Sequence, residues 1–414
     1  MENAKLTRRV LIGIVAVAAL FSAVSAGCAT VAPIGPGLPY EPNDREMRLW
    51  SAAGEASAKW RTGGAMHRDD GLREYVQTVL ERVLEHDSRA YVPLDPRVFI
   101  VDNPKVNAFA YPHGHIFVHT GMLARLRNEA QLAMLLGHEI THATHRHAYQ
   151  EREDATARTD VLAFASILSA LGGGEIATAV GNLGQIVTVA AISGYSRQKE
   201  AEADRVGLLL VARAGYAPAE GAKMFQRMLD ATDTKSRHFS PFYATHPKMK
   251  DRVKTCKRLA GELPPDVVTA SLEIGRDRYL AHTAYLIDGE ARRHIAQGRY
   301  DLALETLDFL RENVPGSANA AVLRGELYEA RSARGDRLRA EEAYRDALKI
   351  DTSYAPAHKG LGFLLLREKE NSEAVRHLRR YLELAPDATD ADLVRQYIDR
   401  SAGKTAGKNG ASSP

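Results

Sequence analysis

Gln131-Leu-Ala-Met-Leu-Leu-Gly-His-Glu-Ile-Thr-His-Ala-Thr-His-Arg-His147 spaces its apolar residues Leu132, Leu135, Leu136 and Ile140 as one buried helix face does, at intervals of three and four. The segment is therefore expected to be a core helix. His138 and His142 stand four apart on it, so their imidazoles lie one above the other, separated by roughly 6 Å of rise, and can converge on one ion. Glu139 follows the first of them, about 100° round the helix. From there its carboxylate reaches the water that such an ion activates without becoming a ligand. This H-E-x-x-H pattern implies metal-assisted hydrolysis, with two histidine ligands and a carboxylate base. A solvated pair of helical histidines is the bland alternative, and the motif alone does not remove it.

The third ligand decides the subclass. A metzincin would carry Gly at 145 and His at 148, whereas the chain has His145 and Ala148, which excludes that pattern. His145 shares a face with His138 and His142, but seven residues of rise, roughly 10 Å, keep all three from one tetrahedral ion. His145 and His147 are therefore read as structural, or as supporting the ligands from behind. A downstream acidic ligand is required. Ser196-Arg-Gln-Lys-Glu-Ala-Glu-Ala-Asp-Arg-Val-Gly207 supplies Glu200 and Asp204, four apart on one helix face, while Glu202 points elsewhere as on an exposed charged helix. Glu200 is assigned as the third ligand. Asp204 is assigned as the acceptor that orients a ligand histidine through its other ring nitrogen. One Zn2+ per chain, held by His138, His142 and Glu200, is the expected cofactor.

With Thr245-His246-Pro247 and Arg252 added, these motifs resemble the gluzincin peptidase family of HtpX and the CAAX prenyl protease, over about residues 45 to 400. The resemblance implies a mainly α fold: a helical zinc-metallopeptidase domain with a small β-sheet, followed by an α-solenoid of tetratricopeptide repeats. It also implies a zinc-dependent endopeptidase of the bacterial cell envelope, acting on unfolded or misassembled envelope polypeptides. The alternative is a gated, largely non-proteolytic chaperone or scaffold. His246 has three readings: a donor to the developing oxyanion, a fourth zinc ligand that silences the site, or a loop histidine before a helix. Arg252 is expected to pair with a cleft carboxylate and, with His246, to stabilise the oxyanion. Tyr243 is a further oxyanion candidate, recommended only by proximity in sequence.

Upstream, Lys5, Arg8 and Arg9 precede an apolar run from Val10 to Val24 and then Ser25-Ala-Gly-Cys28. A basic start, a short apolar core and small residues read as an export signal over residues 1–27. Gly27-Cys28 also resembles a lipoprotein processing site, which implies a lipid on Cys28 and a Pro- and Gly-rich tether over residues 28–44. The chain has two cysteines, so a lipidated Cys28 leaves Cys256 alone and no intramolecular disulfide. Net charge is +3 and spread along the chain, with no basic cluster interleaved with aromatics, which argues against a nucleic-acid partner.

The peptidase domain is expected over residues 45–262. From Asp44 to about Ser88 the pattern is helical, with Leu72, Tyr75, Val76, Val79, Leu80 and Val83 on one face. Arg97-Val-Phe-Ile-Val-Asp102 reads as a strand, and Val106 to Gly121 as strand, turn, strand. The resemblance makes the last strand, about His115 to His119, the edge strand beside the cleft, open to an extended peptide. His113, His115 and His119 on it are read as surface residues. Residues 155 to 195 are apolar but broken by Gly172-Gly-Gly174, and are expected to form core helices and a mobile cover.

Residues 263–401 are expected to hold a connecting helix and repeats. Gly298-Arg-Tyr-Asp-Leu-Ala303 with Leu307 and Pro315 fits the second helix of a tetratricopeptide unit. Ala340, Tyr344, Ala347 and Leu348 repeat it, as do Leu361-Gly362, Ala374, Leu378 and Pro386. Ala303, Ala340 and Ala374 are 37 and 34 residues apart, the longer interval accommodating about three inserted residues near Ala333 to Asp336. Stacked repeats offer a surface for a polypeptide or for an outer-membrane assembly complex. Residues 391 to 401 read as a capping helix and 402–414 as a disordered tail.

Overall fold

The computed structural model of the chain describes residues 32–37, 40–84, 91, 93–157, 195–230, 242, 246, 249–264, 267 and 272–408. The export signal, Cys28, the cover expected over 158–194 with its Gly172–Gly174 triplet, Tyr243 and Pro247 lie outside the described residues.

Two helices open the enzyme body, α1 (Asp44–Thr62) and α2 (Asp70–Leu84). The continuous helical pattern read over this region is thus broken, because Gly63 and Gly64 interrupt it, Gly64 with φ of +77°. Leu72, Val76, Val79, Leu80 and Val83 are buried along α2, the face its spacing indicates. The segment expected to be a tether is docked in part. Ile34 is buried, and its N–H donates to Thr144 O at 2.8 Å, one of the carbonyls left open at a helix end.

A three-stranded sheet follows: β1 (Arg97–Val101), β2 (Ala108–Ala110) and β3 (His115–His119), in the order β1-β3-β2. β3 pairs parallel with β1 and antiparallel with β2. The expectation that His115–His119 is the edge strand is therefore overturned: it is the central strand, and β1 and β2 are the edges. The turn through Gly114, at φ +104°, folds β2 back on one side of β3, while the earlier β1 takes the other. A central strand is buried on both flanks, so His115 and His119 are not surface residues either. Ser57 Oγ lies 2.7 Å from His115 Nδ1, and Asp95 Oδ2 3.2 Å from its Nε2.

After the short α3 (Thr120–Arg125) comes α4 (Glu129–Thr144), the helix of the H-E-x-x-H motif, every residue of which is buried. Asn128 caps it by accepting from Gln131 N–H. At its other end Arg146 turns the chain with φ of +58°, held by two bonds to the fully buried Glu46 carboxylate. Helices α5 (His147–Ala157), α6 (Arg197–Arg213), α7 (Ala219–Asp230) and α8 (Met249–Gly261) complete the body.

Seven further helices form the solenoid: α9 (Arg276–Ala296), α10 (Tyr300–Asn313), α11 (Ala318–Arg331), α12 (Asp336–Ile350), α13 (Ala355–Arg367), α14 (Asn371–Leu384) and α15 (Ala391–Lys408). Ala303, Ala340 and Ala374 are fully buried, where small residues let paired helices approach. Tyr344 packs against Gly325 and Gly360, and a Cβ at Gly362 would stand 2.7 Å from Leu378. The first helices of the solenoid share one continuous core with the enzyme body, Leu286, Ile287 and Leu307 clustering with Leu123 and Met134. The last helix, α15, extends to Lys408. Among the described residues no helix is long and apolar enough to cross a membrane.

Candidate metal centre

The site depends on how closely α4 and α6 cross. Gly137 faces Gly207: a Cβ at 207 would stand 3.0 Å from the Gly137 carbonyl carbon and from His138 N, and one at 137 would stand 3.2 Å from Gly207 O. A side chain at either position would press on the facing backbone and push the helices apart by a few tenths of an ångström. Gly207 lies three residues beyond Asp204 and Gly137 immediately before His138, so the crossing carries the acidic face of α6 onto the histidines of α4. The start of α6 is tied down by Ser196 N–H and Lys199, both bound to Glu151 of α5.

Four side chains then converge, His138, His142, Glu200 and His246, all buried and each offering one donor atom. His138 Nε2 lies 3.1 Å from His142 Nε2 and 3.2 Å from His246 Nδ1. Glu200 Oε1 lies 3.0 Å from His246 Nδ1 and 3.5 Å from His142 Nε2, and Oε2 lies 3.6 Å from His138 Nε2. Bonds of about 2.0–2.1 Å to a tetrahedral ion require donors about 3.3 Å apart. The observed separations bracket that value, so the residues present fit a small divalent ion of zinc's preferences. His246 is placed for this by Phe242, which accepts its N–H at 2.8 Å and packs against its ring at 4.5 Å.

Glu139 is buried beside the cluster, with Oε1 lacking a hydrogen-bond partner and standing 3.5 Å from His246 Nε2. Burial, then the surrounding imidazoles, push His142 well below the usual histidine range, which keeps it neutral as a ligand must be. Burial opposes the charged form of Glu200, but His246, Arg252 and His138 outweigh it and hold this carboxyl below its ordinary range. For His246 burial also disfavours charge, yet the Glu200 and Glu139 carboxylates raise it.

A second ring of groups fixes the first. Asp204 Oδ1 lies 3.0 Å from His138 Nδ1, the contact expected of it. Arg252 grips Asp204 with Nε at 2.9 Å and Nη2 at 2.5 Å, reaches Glu200 Oε2 with Nη1 at 3.2 Å, and stacks over Phe225 at 4.0 Å. Despite burial, Arg252 and His138 hold Asp204 down at about 2. Arg252 therefore pairs with carboxylates as expected, but from behind the ligands. On the other histidine, His142 Nδ1 lies 2.9 Å from His147 Nδ1, and His147 Nε2 lies 3.3 Å from Glu202 Oε2. Tyr195 stacks on His142 at 3.9 Å.

The sequence readings of His138, Glu139, His142, Glu200, Asp204 and His246 thus describe residues that the fold brings together. Glu202 stays outside the donor cluster with its side chain 36% exposed, yet its carboxylate also holds His147, because the turn at Arg146 swings His147 back over His142. His145 stays outside the cluster, its Nδ1 3.1 Å from Thr144 Oγ1. His113, His115 and His119 contribute no donor to it. Tyr195 was missed. Its only signal is its place one residue before the acidic segment.

Residues 72–260 match the model of Peptidase family M48. The "Beta-barrel assembly-enhancing protease" of Escherichia coli (strain K12) is 28% identical over 292 residues, covering 62% of this chain and 58% of that protein. The "Putative beta-barrel assembly-enhancing protease" of Vibrio cholerae is 28% identical over 228 residues, covering 54% of this chain and 46% of its own. The "Mitochondrial metalloendopeptidase OMA1" of Schizosaccharomyces pombe is 29% identical over 180 residues, covering 44% and 50%. The chain spans less than two thirds of the length of each of these relatives.

Proposed function

Because residues 72–260 match peptidase family M48 and contain the whole donor cluster, we propose that the chain is a zinc-dependent endopeptidase whose site is gated by His246. The observation that carries this reading is a buried set of four donors, all within 4.8 Å of one another, with the buried Glu139 carboxylate beside it. His138, His142 and Glu200 would hold the metal. When bound, Zn2+ supplies Lewis acidity, lowering the pKa of a water to about 7 and polarising the scissile carbonyl. Glu139, buried beside the donors, would serve as the base that takes a proton from the attacking water and returns it to the departing amine nitrogen. Asp204 and His147 hold the two ligand histidines by their outer nitrogens, and Arg252 fixes Asp204 and Glu200, acting as a positioning residue.

With His246 as a fourth donor, an ion held here would have no open position for water. Its displacement would open the site and leave it beside Glu139 as a donor to the oxyanion. This supports regulated rather than constitutive cleavage. The envelope is the proposed setting, with unfolded or misassembled envelope polypeptides as substrates, the solenoid recruiting them or an assembly complex, and a lipid on Cys28 as anchor. The names of the bacterial relatives and the leader-like residues 1–28 motivate this.

The test is cleavage of an unfolded protein by the chain, Glu139→Gln and His246→Ala, with zinc content measured in each. Cleavage that rises in His246→Ala and is absent from Glu139→Gln at unchanged zinc is the expected result. Equal cleavage by parent and Glu139→Gln would sink the peptidase reading. Absence of cleavage from all three with zinc retained would favour a scaffold.

A further inference from the structure

A second polar cluster lies away from the metal centre, where α3 and α7 of the enzyme body meet α9 and α10 of the solenoid. Arg125 ends α3, Arg127 follows it, Arg227 stands on α7, Glu290 and His294 on α9, and Arg299 just before α10. Arg125, Arg127, Glu290 and His294 are all more than nine-tenths buried. The sequence reading assigned nothing to these residues, and the proposed peptidase chemistry uses none of them.

The partners are unequal to the donors. Arg127 uses one nitrogen only: Nη1 donates to Ala124 O at 2.8 Å, Leu126 O at 3.1 Å and Arg125 O at 3.2 Å, closing the end of α3. Its ring-facing contact is Phe309, 4.5 Å below the guanidinium. Nε and Nη2 have no hydrogen-bond partner among the described residues. That edge carries two parallel N–H groups, the fork that a carboxylate or phosphate accepts side by side. Arg125 Nε, Arg299 Nε and both ring nitrogens of His294 also lack hydrogen-bond partners among the described residues.

Glu290 is the carboxylate buried among these groups. It stands 3.5 Å from Arg125 Nε and 3.7 Å from His294 Nε2, ion-pair distances without a formed hydrogen bond, and its Oε2 is itself unpartnered. Arg227 leans outward, Nη2 3.5 Å from Glu305 at the rim and Nε 3.3 Å from Arg125 O. Burial and then the neighbouring positive charge of Arg227 push Arg127 down to about 9, outweighing Glu290. Buried guanidinium groups are retained when paired with an acceptor. Among the described residues the acceptors fall short.

We propose that the junction between the enzyme body and the solenoid is a binding site for a small oxyanion, a carboxylate or a phosphate, accepted side-on by the free Nε–Nη2 edge of Arg127 and flanked by Arg125 and Arg299. The site is independent of the metal centre. An occupant would tie α3 to α9 and α10, so that the solenoid's seating on the enzyme body responds to the ligand.

The test is thermal unfolding of the full chain in rising inorganic phosphate and, separately, acetate, at constant ionic strength made up with chloride. A saturable rise in Tm with either anion is expected, and the stronger of the two identifies the headgroup. Arg127→Lys keeps the charge and removes the fork, so its half-saturation concentration should rise at least about tenfold. Arg299→Gln, which leaves the Arg127 cap of α3 in place, should weaken the response and serves if Arg127→Lys folds poorly. No rise with either anion, or an equal rise in the parent and in both variants, would overturn the proposal.

Discussion

Gly207→Ala should damage the metal centre without touching any ligand. The added Cβ would sit 3.0 Å from two backbone atoms, the Gly137 carbonyl carbon and His138 N, where ordinary contact begins several tenths of an ångström farther out. Neither atom belongs to a side chain that can turn away, so the two helices must separate. Overpacking of this kind costs about 1–3 kcal/mol, offset by about 0.5–1 kcal/mol from the better helix propensity of alanine. The net expectation is a loss of roughly 1–2 kcal/mol, a Tm lower by several degrees in a domain of this size. Separation also lengthens the 3.0 Å contact between His138 and Asp204, and loss of such support typically weakens metal affinity about 10–100-fold. Thermal unfolding and zinc competition against a chelator read the two effects. Gly54→Ala is the control: a Cβ there meets nothing within 4 Å in the middle of α1, so it should stabilise by about 0.5–1 kcal/mol. A Gly207→Ala protein as stable as the parent, with the same zinc affinity, would refute the idea that this crossing sets the ligand spacing.

His147→Ala removes the partner of His142 Nδ1 and should weaken zinc binding about 10–100-fold while leaving secondary structure intact; unchanged affinity in a chelator titration would count against the role given to Glu202 and His147. Asp204 is held down at about 2 against an ordinary value near 4. A carboxyl depressed in the folded state contributes stability above its unfolded pKa and loses it as pH falls through the folded one, here from about 4 down to about 2. Denaturant unfolding in the presence of chelator should show about 2 kcal/mol disappearing across that window, and a smaller slope in Asp204→Asn; equal slopes would show that the coupling to Arg252 is not felt.

Much of the metal centre was legible in the sequence because helical periodicity converts spacing into geometry. Residues four apart on a helix share a face whatever surrounds it, which is why His138 with His142 and Glu200 with Asp204 could be paired before any fold was known. The repeats were legible for a related reason: buried alanines recur at the period of a stacked unit, and the structure puts Ala303, Ala340 and Ala374 in its interior. Strand order was not legible. The pattern of alternation marks His115–His119 as a strand, but which neighbours it pairs with depends on the turn at Gly114 and on the parallel return of β1.

The sequence by itself determined which side chains share a face on each of the two helices, His138 with His142 and Glu200 with Asp204, since these pairings follow from local periodicity. Tertiary structure alone decided the distance between the two ligand helices, through a glycine contact seventy residues apart in the chain. It chose among the readings of His246 by setting its Nδ1 beside His138 and Glu200, brought Glu202 onto His147, and gathered four arginines at the junction with the solenoid. These contacts join segments distant in sequence, and no periodicity within either partner encodes where the other will lie.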